Sequence, residues 1–228
     1  MTKDNLFCII ITETREKGEN NMYEKIDYTL LKPFAKEEEF KTLCETAIEK
    51  GCASVCIPSH YVHKMHTLFP ELNICTVVGF PFGNCTTTTK ITETWSALVD
   101  GAKEIDMVIN ISEVKNHNWD IVLYDIKRVV EEANYHNAIV KVILETCYLT
   151  EAEIVKCCLL ASEAGADFVK TSTGYGTTGA DFETVELMVN TCQFLNLKVK
   201  ASGGIKTREE VEKYLALGAD RIGMSKLF

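Results

Sequence analysis

Three charged residues stand in places where a β-rich protein seldom tolerates charge. Asp106 lies within EIDMVIN, Lys170 within DFVKTS and Lys200 within LKVKASGG, each in a short apolar or β-branched run that reads as a strand. Strand side chains alternate between faces, so Phe168, Lys170 and Ser172 share one face, as do Lys198 with Lys200, and Glu104 with Asp106 and Val108. With Lys170 and Lys200 on adjacent strands, two ammonium groups come close and each disfavours protonation of the other. Taking a lysine from about 10.4 to about 7 requires roughly 4 to 5 kcal/mol, which a like charge and partial burial can supply together. The outcome is a neutral amine, a nucleophile for carbonyl carbon, with Asp106 able to hold the second lysine charged and to relay protons. A structural salt bridge of Asp106 with either lysine is the alternative for a strand lysine taken alone.

Glycine-rich turns follow the same strands. Ser172-Thr173-Gly174, Ser202-Gly203-Gly204 and Gly223-Met224-Ser225 each end a β-run, and backbone N–H groups in such turns form anion cradles. His60, His63 and His66 recur every third residue, which spreads them over more than one helix face, and no HExxH or comparable ligand set is present, so no metal is expected. Thr86 to Thr89 reads as an N-cap region and Cys157-Cys158 as helix packing.

The elements that must hold these residues alternate along the chain. Eight β-runs cover 26–31, 53–57, 73–79, 104–110, 139–146, 167–172, 197–201 and 220–224. Helical patterns over 36–50, 88–100, 119–133, 151–164, 184–194 and 207–217 separate most of them, and Gly51, Gly101, Gly165 and Gly218 follow helices as stop signals. This is the pattern of a single-domain (β/α)₈ barrel, with an open doubly wound sheet as the alternative, and barrels place function at the strand C-terminal ends. Residues 1–21 do not join the pattern, whereas Met22 directly precedes it behind residues whose codons can be purine-rich. An N-terminal extension outside the barrel, with translation starting at Met22, is therefore expected. The barrel occupies 22–228 and reads as shortened at its C-terminus, because the chain stops soon after the last β-run.

Composition narrows the partners. The 228 residues carry a formal charge of −9, which disfavours a nucleic-acid or membrane-surface partner while allowing a local basic pocket for a small anion. No apolar run has the length of a membrane span. The ten cysteines are scattered, without a CxxC pair or a secretory leader, so reduced thiols in a cytoplasmic protein are expected.

EIDMVIN, VKVILETCYLT, GADFVKTSTGYG, VKASGGIKT and RIGMS, in this order and spacing, closely resemble the deoxyribose-phosphate aldolases. The likeness extends from Ile26 to Ser225 and takes in IDYTLLKP, ASVCI and CTVVGFPFG. It implies a class I aldolase barrel that needs no metal or cofactor and cleaves 2-deoxy-D-ribose 5-phosphate to D-glyceraldehyde 3-phosphate and acetaldehyde. By motif, it makes Lys170 the Schiff-base lysine, Lys200 the second lysine and Asp106 the proton-relay carboxylate. It puts Asp27, Thr29, Cys56 and Thr171 about the substrate and Gly174, Gly203, Gly204 and Ser225 in the phosphate cradle. Tyr175 stands where some members have a basic residue, and Lys226 where a second serine is common. The resemblance leaves a homodimer open. Two rival functions remain at this point: a phosphorylated-sugar-binding barrel without turnover, and a Schiff-base aldolase with another aldehyde donor.

Overall fold

All eight β-runs become strands, and they close on one another. In the computed structural model, which describes residues 22–228, the strands are β1 (Ile26–Thr29), β2 (Ser54–Ile57), β3 (Ile74–Val78), β4 (Glu104–Val108), β5 (Ile139–Ile143), β6 (Phe168–Lys170), β7 (Lys198–Ser202) and β8 (Arg221–Met224). They pair in sequence order, all parallel, and β8 closes onto β1, so the fold is the (β/α)₈ barrel and not the open sheet. The expected extension at 1–21 lies outside the described residues.

Among the described residues eight helices wrap the barrel: α1 (Glu37–Lys50), α2 (Ser59–Leu68), α3 (Thr87–Val99), α4 (Ile111–Lys115), α5 (Trp119–Asn134), α6 (Glu151–Glu163), α7 (Phe182–Cys192) and α8 (Arg208–Ala216). Sequence periodicity found six of them. It passed over α4, which is little more than one turn, and α2, whose buried residues are only Val62 and Met65. Local chemistry fixes the helix starts. Thr150 Oγ1 accepts the Glu153 N–H at 3.3 Å while the Glu153 carboxylate accepts the Thr150 N–H at 2.7 Å, a reciprocal cap for α6. Thr86 caps α3 through the Thr89 N–H. The three histidines fall on α2 with His60 and His63 exposed, and none joins a group of metal-ligating side chains among the described residues.

Strand alternation divides the molecule into two cores. Outward residues such as Ile105, Met107, Val140, Val142 and Val199 pack with Val122, Ile126 and Val129 of α5 and their counterparts on other helices in one apolar cluster. Burying each such side chain contributes about 1.5–3 kcal/mol. Among the inward residues at alternate positions, Asp27, Glu104, Asp106, Lys141, Lys170 and Lys200 are charged, and all six are buried. Register sets them side by side, Asp106 opposite Lys141 on β4 and β5, and Lys170 opposite Lys200 on β6 and β7.

Candidate active site

Asp106, in the middle of β4, is the hub of the barrel interior. Its Oδ2 accepts from Lys170 Nζ and from Lys200 Nζ, each at 2.8 Å, and its Oδ1 accepts from Lys141 Nζ at 3.0 Å and from the Cys75 thiol at 3.1 Å. Asp27 of β1 extends the set, with Lys200 Nζ 2.5 Å from its Oδ2 and Arg221 Nη1 2.5 Å from its Oδ1, where Ser54 also donates. Below them Glu104 pairs with Lys141 and lies 3.4 Å from Arg221. Room for Lys200 comes from Gly223 of β8, where a Cβ would stand 3.3 Å from Lys200 Cε and 2.8 Å from Ser202 Cβ.

Charge pairing overrides burial in this network. Burial alone would raise the Asp106 carboxyl, but the ammonium groups of Lys141, Lys170 and Lys200 hold it well below the usual carboxylate range. Asp27 is likewise held low against its burial by Lys200, Lys141 and Arg221. Burial alone would favour a neutral Lys200, yet Asp106 and Asp27 outweigh it and keep its ammonium above the ordinary lysine range; Lys141 is raised in the same way, chiefly by Asp106. Both lysines that flank Lys170 in this network are therefore fixed positive charges.

Above the hub a cavity of about 260 Å³ opens at the C-terminal end of the strands. Of the linked charges only Lys170 reaches it. Thr29, Gly174, Gly203, Gly204 and Ser225 line it as well, whereas Asp106 and Lys200 lie beneath Lys170, and Asp27 and Cys56 are fully buried off its wall. Thr171 faces away, its hydroxyl donating to the Ser202 carbonyl at 3.0 Å and so tying the β6 end to β7. Gly203 and Gly204 have positive φ of 90° and 81°, and their N–H groups find no protein acceptor among the described residues.

The structure adds residues that sequence reading passed over. Lys141 sits in IVKVI as Lys170 sits in DFVKTS, so the signal that marked one strand lysine applied equally to the other. Lys32 and Lys206 line the cavity from the loops after β1 and β7. Loop lysines are ordinarily solvated, and nothing local in the sequence distinguishes these two. Glu145, just past β5, has φ 55° and ψ 61°, a left-handed backbone that costs a non-glycine residue about 1 kcal/mol or more. A grouping of Cys56, Cys75 and Asp106, with ligand atoms within 4.8 Å of one another, was also not foreseen. Its Asp106 is already bonded to three ammonium nitrogens and Lys141 Nζ is 3.4 Å from Cys75 Sγ, so a divalent cation there would meet like charge. The nine described cysteines are free thiols.

The profile of the DeoC/LacD family aldolases matches residues 22–225, the whole barrel. The chain belongs to this family. The deoxyribose-phosphate aldolase of Clostridium botulinum (strain Eklund 17B / Type B) is 48% identical over 202 residues, covering 88% of this chain and 90% of its own. That of Caldanaerobacter subterraneus subsp. tengcongensis is 47% identical over 214 residues, covering 92% of each. The solved tetrameric deoxyribose phosphate aldolase of Aeropyrum pernix superposes with a TM-score of 0.85 at 33% identity, over 90% of this chain and 86% of that one.

Proposed function

We propose that the chain is a class I aldolase that reversibly cleaves 2-deoxy-D-ribose 5-phosphate to D-glyceraldehyde 3-phosphate and acetaldehyde through a Schiff base on Lys170. The observation that supports it most strongly is the position of Lys170, the one member of a buried charge network that opens onto a cavity. That network sets four cationic side chains, Lys141, Lys170, Lys200 and Arg221, against three carboxylates, Asp27, Glu104 and Asp106. The network thus holds one more cationic side chain than carboxylate, and the surplus lies where Lys170 meets the cavity.

The cavity suits the other end of the substrate. Three lysines and no carboxylate line it, in a chain whose net charge is −9. Lys32 and Lys206 supply positive charge, and the free N–H groups of Gly203 and Gly204 supply donors for phosphate oxygens. No helix among the described residues is long and apolar enough to cross a membrane.

In the cleavage direction, the Lys170 amine adds to the C1 aldehyde carbon and the carbinolamine loses water to give an iminium. Asp106, held anionic, and Lys200, held cationic, flank the nitrogen and position a water that takes the proton from the C3 hydroxyl. The C2–C3 bond breaks, its electron pair flows into the iminium, and D-glyceraldehyde 3-phosphate leaves. The remaining enamine is protonated at C2 and hydrolysed, releasing acetaldehyde and regenerating the amine. The iminium is the electron sink, so no step calls for a metal.

A binding barrel without turnover and an aldolase with a different donor are not favoured, since close relatives bear the name deoxyribose-phosphate aldolase over nearly their full length. Coupled detection of both products from 2-deoxyribose 5-phosphate tests the reading. Appearance of the two in equal amounts supports it; binding without either product contradicts it.

A further inference from the structure

The β6–α7 turn that walls the cavity is held from beneath by a residue that does not reach the cavity itself. The geometry points to Glu145 as a positioning residue for substrate binding, acting through Thr173; this rests on the aldolase reading above.

The β5 strand ends at Ile143, yet its backbone stays paired to β6 on both sides of Glu145. The Leu144 N–H donates to the Lys170 carbonyl at 2.9 Å and the Thr146 N–H donates to the Thr171 carbonyl at 3.0 Å. Between these anchors Glu145 adopts its left-handed conformation, so the unusual backbone is fixed by neighbours that also fix Lys170. The carboxyl group it presents is buried, and no ion pair to a lysine or arginine satisfies it among the described residues.

Apart from a long 4.0 Å contact from the Cys147 thiol to its Oε1, its partners are in the turn. Glu145 Oε1 accepts the Thr173 N–H at 3.2 Å and Oε2 accepts the Thr173 hydroxyl. That hydroxyl oxygen in turn accepts the Tyr175 N–H at 2.9 Å, which closes the turn on itself. The Tyr175 hydroxyl then donates to the Leu31 carbonyl at 2.8 Å, across the cavity mouth, beside Lys32. Gly176 lets the turn settle this closely, since a Cβ there would stand 2.7 Å from Cys147 Sγ and 3.1 Å from the Glu145 carboxyl. Thr173, Gly174 and Tyr175 are cavity wall, so a single buried carboxyl sets the shape of one side of the site and its span to the β1 loop. A strained, buried acid spent on one turn is the arrangement of a group that preorganises binding.

The consequence is a division of labour between the amine and the wall. Acetaldehyde is small enough to reach Lys170 without the wall, whereas the phosphorylated five-carbon substrate must fit against it. Glu145→Ala is therefore expected to raise KM for 2-deoxyribose 5-phosphate about tenfold or more, while acetaldehyde is trapped on Lys170 by borohydride at a rate within about twofold of wild type. Glu145→Gln keeps an acceptor for Thr173 and should restore KM to within about threefold. Should Glu145→Ala fail to fold, Thr173→Val reads the same bond from its other end, with a KM rise of about threefold and unchanged acetaldehyde trapping. An unchanged KM in both Glu145→Ala and Thr173→Val, or an equal loss of acetaldehyde trapping, overturns the role given to Glu145. A wild-type protein that fails to trap acetaldehyde on Lys170 overturns the functional reading instead.

Discussion

Lys90 and Lys170 are both buried and each bonds a carboxylate, but they stand on opposite sides of the same sheet. Lys90 of α3 donates to Asp125 of α5 at 2.5 Å and to the Val108 carbonyl at 2.8 Å, fully enclosed between helices and β4. One cation meets one anion there, and Lys90 does not reach the cavity. Lys170 shares its carboxylate with Lys200 and Lys141, and its amine opens onto the cavity. Burial and a short ion pair are thus common to a brace and to the lysine proposed as the reactive centre. What separates them is access to solvent space and a surplus of like charge in the neighbourhood.

Removing each lysine should expose that difference. Lys170→Ala is expected to abolish borohydride trapping and to lower turnover by more than about 10³-fold while the protein still folds, as read by circular dichroism and the coupled product assay. Lys90→Met should do the reverse. It leaves the Asp125 carboxylate buried without a cation, which costs about 3–5 kcal/mol in denaturant unfolding, with turnover per folded molecule within about twofold. Replacing both partners, Lys90→Met with Asp125→Leu, should recover most of that loss; a double variant as unstable as the single one would contradict the brace reading.

Lys200→Leu sharpens the comparison inside the barrel. It takes away a fixed positive charge adjoining Lys170, so protonation of Lys170 becomes easier. Trapping at neutral pH should slow by about tenfold and return as the pH is raised. A variant whose trapping rate keeps the wild-type pH profile would show that Lys200 does not act through charge. The smallest effect is expected from chelation: because Asp106 is already occupied by three ammonium groups, EDTA should leave activity unchanged. Activity lost with EDTA and restored by zinc would contradict the mechanism.

The barrel was legible because each strand carries β-branched residues, because Gly51, Gly101, Gly165 and Gly218 mark helix ends, and because helices such as α5 place Val122, Ile126 and Val129 on one stripe. The two missed helices lack such a stripe, α4 being too short to show a period. Asp106, Lys170 and Lys200 stood out because charge inside a strand is conspicuous. Parity alone brought Glu104 into line with Asp106, but the partner of both, Lys141, went unnoticed although its strand reads the same way. Lys32, Lys206 and Glu145 could not be found from local pattern. They lie on loops, and which loops converge is decided by closure of the barrel rather than by neighbours in sequence. Thr171 shows the opposite limit: parity placed it away from Lys170, and its hydroxyl serves the backbone of β7.

The central claim, that Lys170 is the nucleophile and Lys200 a fixed charge, is tested most directly by borohydride reduction of the wild-type protein with acetaldehyde, followed by peptide mass spectrometry. The expected result is a single two-carbon adduct on Lys170, absent from Lys141 and Lys200. An adduct on Lys200 that persists in Lys170→Ala would contradict it.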